Sequence, residues 1–93
     1  MIEKHRTDRI QNTLAEREKQ HGPFIKHCDI EIKLRRILED ELRGSCLTDI
    51  QYIGLSMIIH KIARILNRGN NHSDTWHDIA GYATLVEQSI LDE

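Results

Sequence analysis

The sequence predicts an all-α protein, a compact bundle of three to four helices that ends in an antiparallel helical hairpin. Its 93 residues include one Pro and five Gly, which are too few for a turn-rich β fold. Apolar residues recur every three or four positions, as they do on one face of a helix. A chain of this length supports one hydrophobic core. We therefore expect residues 1–93 to form a single helical domain.

The first two helices are predicted over about residues 7–20 and 24–43. The first has a weak apolar face, whereas the second sets a stripe of Ile and Leu against a charged face. Gly22-Pro23 separates them, because Pro lacks an amide donor and restricts the residue before it. Gly44 is suited to the position just after the second helix.

The last two helices are predicted over about residues 48–67 and 74–90. Thr48 and Gln51 match the T-x-x-Q capping box that starts many helices. The third helix is apolar over nearly half of its circumference, so we expect it to be the central helix of the fold. The predicted core face of the fourth helix consists of Trp76, Ile79, Ala80, Ala83, Val86 and Ile90.

Composition argues against several classes of protein. The formal net charge of −2 supplies no positive field to attract nucleic acid or anionic lipid. The start of the chain lacks the apolar core of a signal peptide, and no segment reads as a membrane span. Cys28 and Cys46 form no C-x-x-C motif, which indicates reduced thiols. We expect a cytoplasmic protein that binds no membrane, and nucleic acid is not the partner that the composition favours.

The candidate site lies along the facing edges of the last two helices. Lys61, Arg64 and Arg68 follow one edge of the third helix, and Asp74 and Asp78 lie one turn apart on the fourth. Lys and Arg bind phosphate oxygens, and paired carboxylates can share a divalent cation. The sequence therefore predicts phosphate binding by the three cations and metal binding by the two aspartates. The predicted supporting residues are Trp76, His77 and Tyr82.

Two interpretations of this cluster remain open. An antiparallel hairpin places opposite one another residues whose numbers add up to about 141, so Arg64 should face Asp78 and Lys61 should lie near Tyr82. These groups could be ion pairs that stabilise the hairpin. Alternatively, they could form a small polar site that holds a nucleotide polyphosphate together with Mg²⁺. Ion pairs in the hairpin would require no cofactor, whereas a nucleotide site would use Mg²⁺.

The histidines offer a different ligand type. His72 and His77 lie beside Asp74 and Asp78, but their spacing has no established metal-binding mechanism. His60 lies on the polar side of the central helix, and the remaining histidines are scattered over the charged N-terminal half. We expect the side chains of His72 and His77 to face solvent near the start of the fourth helix.

The second half of the chain also carries two recognisable motifs. A K-I-A-R-I motif begins at Lys61, and D-x-W-x-D-I-A-G-Y begins at Asp74. Together they resemble the hallmarks of a family of short helical proteins encoded by phages and prophages, over about residues 14–90. Upstream, Arg17 to Gly22 is similar to the R-x-x-x-Y-G motif of that family, with His21 in place of Tyr. The resemblance implies a phage origin and a helical fold.

The hairpin is also distantly similar to the all-α nucleoside-triphosphate pyrophosphohydrolases of the MazG type. Those enzymes hold Mg²⁺ with an E-x-x-E pair on one helix and an E-x-x-D pair on the next. This chain presents Lys61 and Arg64 where acids would be expected. The resemblance therefore favours a derived relative of these enzymes that binds its ligand without hydrolysing it.

These observations together predict a small phage-encoded helical protein that acts through protein–protein or nucleotide contacts. We expect a homo-oligomer, because the apolar arc of the third helix is wider than one small bundle covers. A host protein or a nucleotide would be the partner, and the resemblance implies modulation of a host function such as defence. The alternatives are a Mg²⁺-dependent nucleoside-triphosphate pyrophosphohydrolase and, after it, a DNA-binding regulator.

Overall fold

The computed structural model describes residues 2–68 and 73–92, with side chains from residue 7 onward apart from that of Arg68. The four helices are α1 (Ile2–His21), α2 (Phe24–Leu42), α3 (Asp49–Arg68) and α4 (Ser73–Leu91). No strand occurs in these residues. The predicted all-α class is therefore confirmed. Helix α1 begins at Ile2, five residues before the start that the sequence pattern predicted at about residue 7.

The ends of the helices follow from local signals. Gly22 has a φ of +80° and Gly44 a φ of +82°, a left-handed conformation that glycine adopts without steric cost. Gly22 precedes Pro23 at the break between α1 and α2, and Gly44 lies just beyond α2. At the start of α3, the Thr48 N–H donates to Gln51 Oε1 over 3.0 Å, and the Gln51 N–H donates to Thr48 Oγ1 over 3.2 Å. This reciprocal pair is the predicted capping box.

Helix α3 is the central helix and packs against each of the other three. It runs antiparallel to α4, which confirms the predicted C-terminal hairpin, and antiparallel to α2. Gly54 of α3 lies against Val86 of α4, and a Cβ on Gly54 would overlap the Val86 side chain. The glycine therefore lets these two helices approach closely.

The face that α4 turns towards α3 differs from the predicted one. Its buried and half-buried side chains are Thr75, Asp78, Ile79, Tyr82, Val86 and Ser89. Ile79 and Val86 lie on this face as expected, but the prediction was wrong for four residues that are exposed: Trp76, Ala80, Ala83 and Ile90. The helix is rotated because the polar Asp78 bonds to α3, so that the apolar stripe beside it faces outward.

The bundle buries little apolar surface. Ala63 is the one buried apolar side chain among those described, and none of the large ones is fully buried. The radius of gyration is 16.7 Å, against about 12 Å for a compact domain of this length. The molecule measures 54 × 28 × 28 Å. Many large apolar side chains therefore remain on the surface of the single chain.

None of the described helices combines the length and the apolar character that crossing a bilayer requires.

Candidate functional site

Two histidines and a glutamate meet where α2 faces α3. His27 Nε2 donates to Glu31 Oε1 over 2.8 Å, and His60 Nδ1 donates to the same oxygen over 2.6 Å. The other carboxylate oxygen, Glu31 Oε2, accepts from Arg35 Nε over 2.7 Å. We call His27, Glu31 and His60 the histidine–glutamate centre. These three residues form the candidate functional site.

Helix periodicity explains how this centre is assembled. His27, Glu31 and Arg35 follow one another at intervals of four residues, so they lie one above the other on one face of α2. The antiparallel packing of α2 on α3 brings His60 opposite that face. His27 is buried, whereas Glu31 and His60 are half-buried. The site therefore takes two side chains, one turn apart, from α2 and one side chain from α3.

The electrostatics keep the carboxylate charged. Burial alone would raise the pKa of Glu31, but hydrogen bonds from Arg35 and from the two histidines lower it to about 2. Burial lowers the pKa of His60, although the hydrogen bond to Glu31 acts in the opposite direction. At neutral pH Glu31 is thus an ionised acceptor, and the His60 imidazole is neutral.

Two cavities lie against the centre. The first, of about 470 Å³, is open between α1, α2 and α3, and its polar wall includes Arg17, Glu18, His27, His60 and Arg64. The second, of about 600 Å³, includes Cys28, Glu31, Arg35 and His60. The ring of Phe24 borders both. His27 and His60 therefore form a shared wall that can be reached from two directions.

A buried asparagine lies against Gly22, which belongs to the wall of the first cavity. Asn67 Nδ2 donates to the backbone oxygen of His21 over 2.7 Å and to that of Pro23 over 3.0 Å. Gly22 lies directly beneath, and a Cβ there would be 2.8 Å from Asn67 Nδ2. The last turn of α3 thus holds the corner between α1 and α2.

The structure separates two of the predicted phosphate-binding cations. Lys61 is buried and its Nζ lies 3.0 Å from Asp78 Oδ2, the position that the sequence assigned to Arg64. Arg64 lies on the wall of the first cavity instead. Three residues along a helix rotate a side chain by about 300°, so Lys61 faces α4 while Arg64, one turn after His60, faces α1 and α2. The side chain of Arg68 lies outside the described part.

The predicted metal and supporting residues are spread along α4. Asp74 and His77 are exposed, and Trp76 retains 58% of its surface. Asp78 and Tyr82 are half-buried against α3. Among these five, the structure therefore joins Asp78 to a predicted phosphate-binding cation and leaves Asp74 apart from that ion pair. His72 lies outside the described residues.

The histidine–glutamate centre was missed in the sequence, although a signal for it exists. His27 and Glu31 have the spacing of residues one helical turn apart. The hairpin rule that we applied to the last two helices also applies to α2 and α3, where residues whose numbers add up to about 91 lie opposite one another. That rule pairs Glu31 with His60. Tyr52, whose hydroxyl donates to Glu39 Oε1 over 2.7 Å, obeys the same rule.

Two imidazoles and a carboxylate are ligand types that divalent transition metals use. One ligand atom from each residue of the centre lies within 4.8 Å of the other two. The wall beside them carries guanidinium groups, which suit phosphate. The arrangement is thus suited to a cation at the centre and an anion in the first cavity.

Comparison with known proteins gives the chain a family without an activity. No curated protein and no solved structure matches it. The model of a domain of unknown function, DUF6378, matches residues 8–90, a stretch that takes in the histidine–glutamate centre and both cavities. The chain therefore belongs to the DUF6378 family.

Proposed function

We propose that this protein is a binding protein for a nucleotide or a similar aromatic phosphate compound, and that the ligand occupies the first cavity. The observation that carries this proposal is the meeting of Arg17 and Arg64 with the exposed ring of Phe24 around one cavity. A phage-encoded protein of this kind would act in the bacterial cytoplasm and modulate a host function such as defence, as the motif resemblance implies.

The size and chemistry of the cavity suit such a ligand. Its volume of about 470 Å³ lies within the range of about 300–1,000 Å³ that small-molecule sites occupy. The guanidinium groups of Arg17 and Arg64 can each donate two parallel hydrogen bonds to phosphate oxygens. Glu18 is available to accept from the amino groups of a base or from a sugar hydroxyl. Both ends of a nucleotide therefore find partners.

Phe24 provides the surface for the base. It retains 75% of its surface, and its ring is stacked on His27 with centroids 6.3 Å apart and planes at 7°. An exposed, supported aromatic face accepts a nucleobase by stacking. The second imidazole, His60, meets His27 edge-on at 4.8 Å and helps to hold it in place.

Calorimetric titration with nucleoside triphosphates, the parent nucleosides and inorganic pyrophosphate tests the proposal. We expect the triphosphates to bind, and Arg64→Gln to weaken binding at least tenfold, because a hydrogen bond to a charged group contributes about 1.5–3 kcal/mol. The matched control is Arg36→Gln, which removes the same group from an exposed position of α2. Absence of nucleotide binding, or equal affinities in the two variants, would contradict the proposal.

Pyrophosphohydrolase activity is the alternative function, supported by the carboxylates of Asp74 and Asp78 one turn apart. The Lys61 amine at 3.0 Å from Asp78 neutralises a group that Mg²⁺ would need, so binding is favoured over hydrolysis. Phosphorus NMR of nucleoside triphosphates incubated with the protein and Mg²⁺ distinguishes the two. Hydrolysis by the wild-type protein that is lost in Asp78→Asn would support the enzyme.

A DNA-binding regulator is the weakest of the three candidate functions. Binding of duplex DNA that weakens as salt is raised would support it.

A homo-oligomer is the assembly that the surface favours. The single chain exposes 7489 Å², whereas a folded monomer of its mass exposes about 5,600 Å². The excess of about 1,900 Å² is more than the ~800 Å² that each partner buries in an interface of standard size. The exposed surface is thus large enough for contact with one or more further copies of the chain.

The outward stripe of α4 is the part of this surface that we propose joins the copies. Trp76, Ala80, Ala83 and Ile90 share one side of the helix and are all exposed. Ala83→Glu should dissociate the assembly, because it places a charge in the middle of the stripe. Leu85→Glu is the matched control, since Leu85 is also exposed but lies on the opposite side of α4. Light scattering that shows monomeric wild-type protein would contradict self-assembly.

A further inference from the structure

We propose that the histidine–glutamate centre is a binding site for a divalent transition-metal ion, with His27 Nε2, Glu31 Oε1 and His60 Nδ1 as its protein ligands. Zinc and cobalt are the probes that this chemistry selects. The inference goes beyond the nucleotide cavity and does not depend on it, since the three ligands are brought together by α2 and α3 without any other molecule.

The three ligand atoms need little movement to surround an ion. Bonds of 2.0–2.1 Å in a tetrahedral site place neighbouring ligand atoms about 3.3 Å apart. The hydrogen-bonded ring nitrogens of His27 and His60 lie 2.8 Å and 2.6 Å from Glu31 Oε1, and the three residues offer one ligand atom each within 4.8 Å of one another. An ion that enters replaces two hydrogen bonds and opens these separations by about half an ångström.

The protons can leave the ligand atoms without leaving the imidazoles. In the hydrogen-bonded centre, His27 carries a proton on Nε2 and His60 one on Nδ1, because the ionised carboxylate can only accept. When a metal binds, the proton on each ligating ring nitrogen leaves that atom, and the other nitrogen of the ring can carry it. The ligand atoms are then free of protons, which is the form that a metal needs.

The surroundings select the class of ion. Two imidazole nitrogens and one carboxylate suit zinc and its neighbours in the first transition row, whereas Mg²⁺ and Ca²⁺ prefer oxygen ligands throughout. Arg35 holds the second oxygen of Glu31 over 2.7 Å and so orients the ligating carboxylate, as partners of metal ligands commonly do. Its positive charge opposes the ion, and we therefore expect weaker binding than in a closed structural zinc site.

The adjoining cavities leave a coordination position open. Both contain His27 and His60 in their walls, so water or a ligand group can reach an ion at the centre from either side. Zinc sites with three protein ligands hold water or another small ligand in the fourth position, whereas structural zinc sites are closed by four protein ligands. Binding of metal should therefore not require the protein to unfold.

The test is titration of the chelator-treated full chain with Co²⁺, followed by its visible absorption, and competition with Zn²⁺. We expect one equivalent to bind per chain, with the intense bands of a four- or five-coordinate ion, and Zn²⁺ to displace it. His60→Gln should weaken binding at least tenfold, whereas the matched control His77→Gln, at an exposed position of α4, should leave it unchanged. Equal affinities in these variants, or six-coordinate Co²⁺ spectra, would overturn the proposal.

Two further measurements keep the result independent of folding and of the nucleotide. Zinc should raise the thermal midpoint of the wild-type chain, since an ion that binds the native state stabilises it, and an unchanged midpoint at saturating zinc would count against the site. Arg64→Gln should bind Co²⁺ at least as well as wild type, because it removes a cation near His60 without touching a ligand. Metal binding in a chain that binds no nucleotide would thus uphold this site while refuting the proposed ligand.

Discussion

Replacing Asn67 by Ala should destabilise the fold by about 2 kcal/mol. The side chain is 7% exposed and its Nδ2 donates to the backbone oxygens of His21 and Pro23. A net hydrogen bond contributes about 0.5–1.5 kcal/mol, and an acceptor left buried without a partner costs about 1–3 kcal/mol.

The two bonds do not contribute equally. The Pro23 oxygen also accepts the His27 N–H over 3.1 Å, so it keeps one partner in the variant. Asn67 Oδ1 has no hydrogen-bond partner among the described residues, and its removal therefore costs little. Alanine also regains about 0.5 kcal/mol of helix propensity. These terms leave the two lost hydrogen bonds from Asn67 Nδ2 as the main contribution, of which the one to Pro23 is the smaller.

Urea denaturation at fixed protein concentration, followed by circular dichroism, measures the effect. For a domain of this size, about 2 kcal/mol corresponds to a fall of about 10 °C in the thermal midpoint. Asn12→Ala is the control, because Asn12 is an exposed residue of α1 and should gain helix propensity without losing a buried bond. Asn67→Asp should lower the free energy of unfolding more than Asn67→Ala does, because a carboxylate oxygen would then face the backbone oxygens of His21 and Pro23. A loss below about 0.5 kcal/mol relative to the control would refute this account of the α1–α2 corner.

Three other perturbations follow from the same structure. Thr48→Ala should lower the free energy of unfolding by about 1 kcal/mol through loss of the capping box, and an unchanged urea midpoint would contradict this. Gly22→Ala should lower the free energy of unfolding by more than the ~1–2 kcal/mol of left-handed backbone strain, since the new Cβ also meets the Asn67 side chain. A thermal midpoint equal to that of the wild type would contradict this. Acidification should destabilise the protein in two steps. The first lies below about pH 6.5, where His60 is protonated more readily in the unfolded chain than in the folded one. The second runs from pH 4.5 towards 2, where the Glu31 carboxylate is protonated first in the unfolded chain and then in the folded one. Glu31→Gln should remove the lower step from a series of melts against pH, and its persistence would contradict the assignment.

Local signals in the sequence predicted the helices well. The capping box at Thr48 and Gln51 forms as expected, and Gly22 and Gly44 take the left-handed conformations that end helices. Such features depend on residues a few positions apart, so they can be read without knowing how the helices pack. Periodicity likewise identified α3 as the central helix.

Rotation about the helix axes could not be read in the same way. The apolar pattern of α4 predicted that Trp76 packs inward, but Trp76 is largely exposed and Thr75 is buried. A polar contact outweighed the pattern, because Lys61 is buried against α4 and needs Asp78 as its partner. The histidine–glutamate centre was missed for a related reason, since His27 and His60 become neighbours only through the packing of α2 on α3.

The central position of α3 limits where the chain can change in length. His60 and Lys61 are consecutive residues, yet one bonds to α2 and the other to α4. One residue inserted before them would turn both by about 100°, which would separate His60 from Glu31 and Lys61 from Asp78 in a single step. Insertions and deletions among relatives should therefore collect in the connections on either side of α3, while the stretch from Gly54 to Asn67 keeps a constant length.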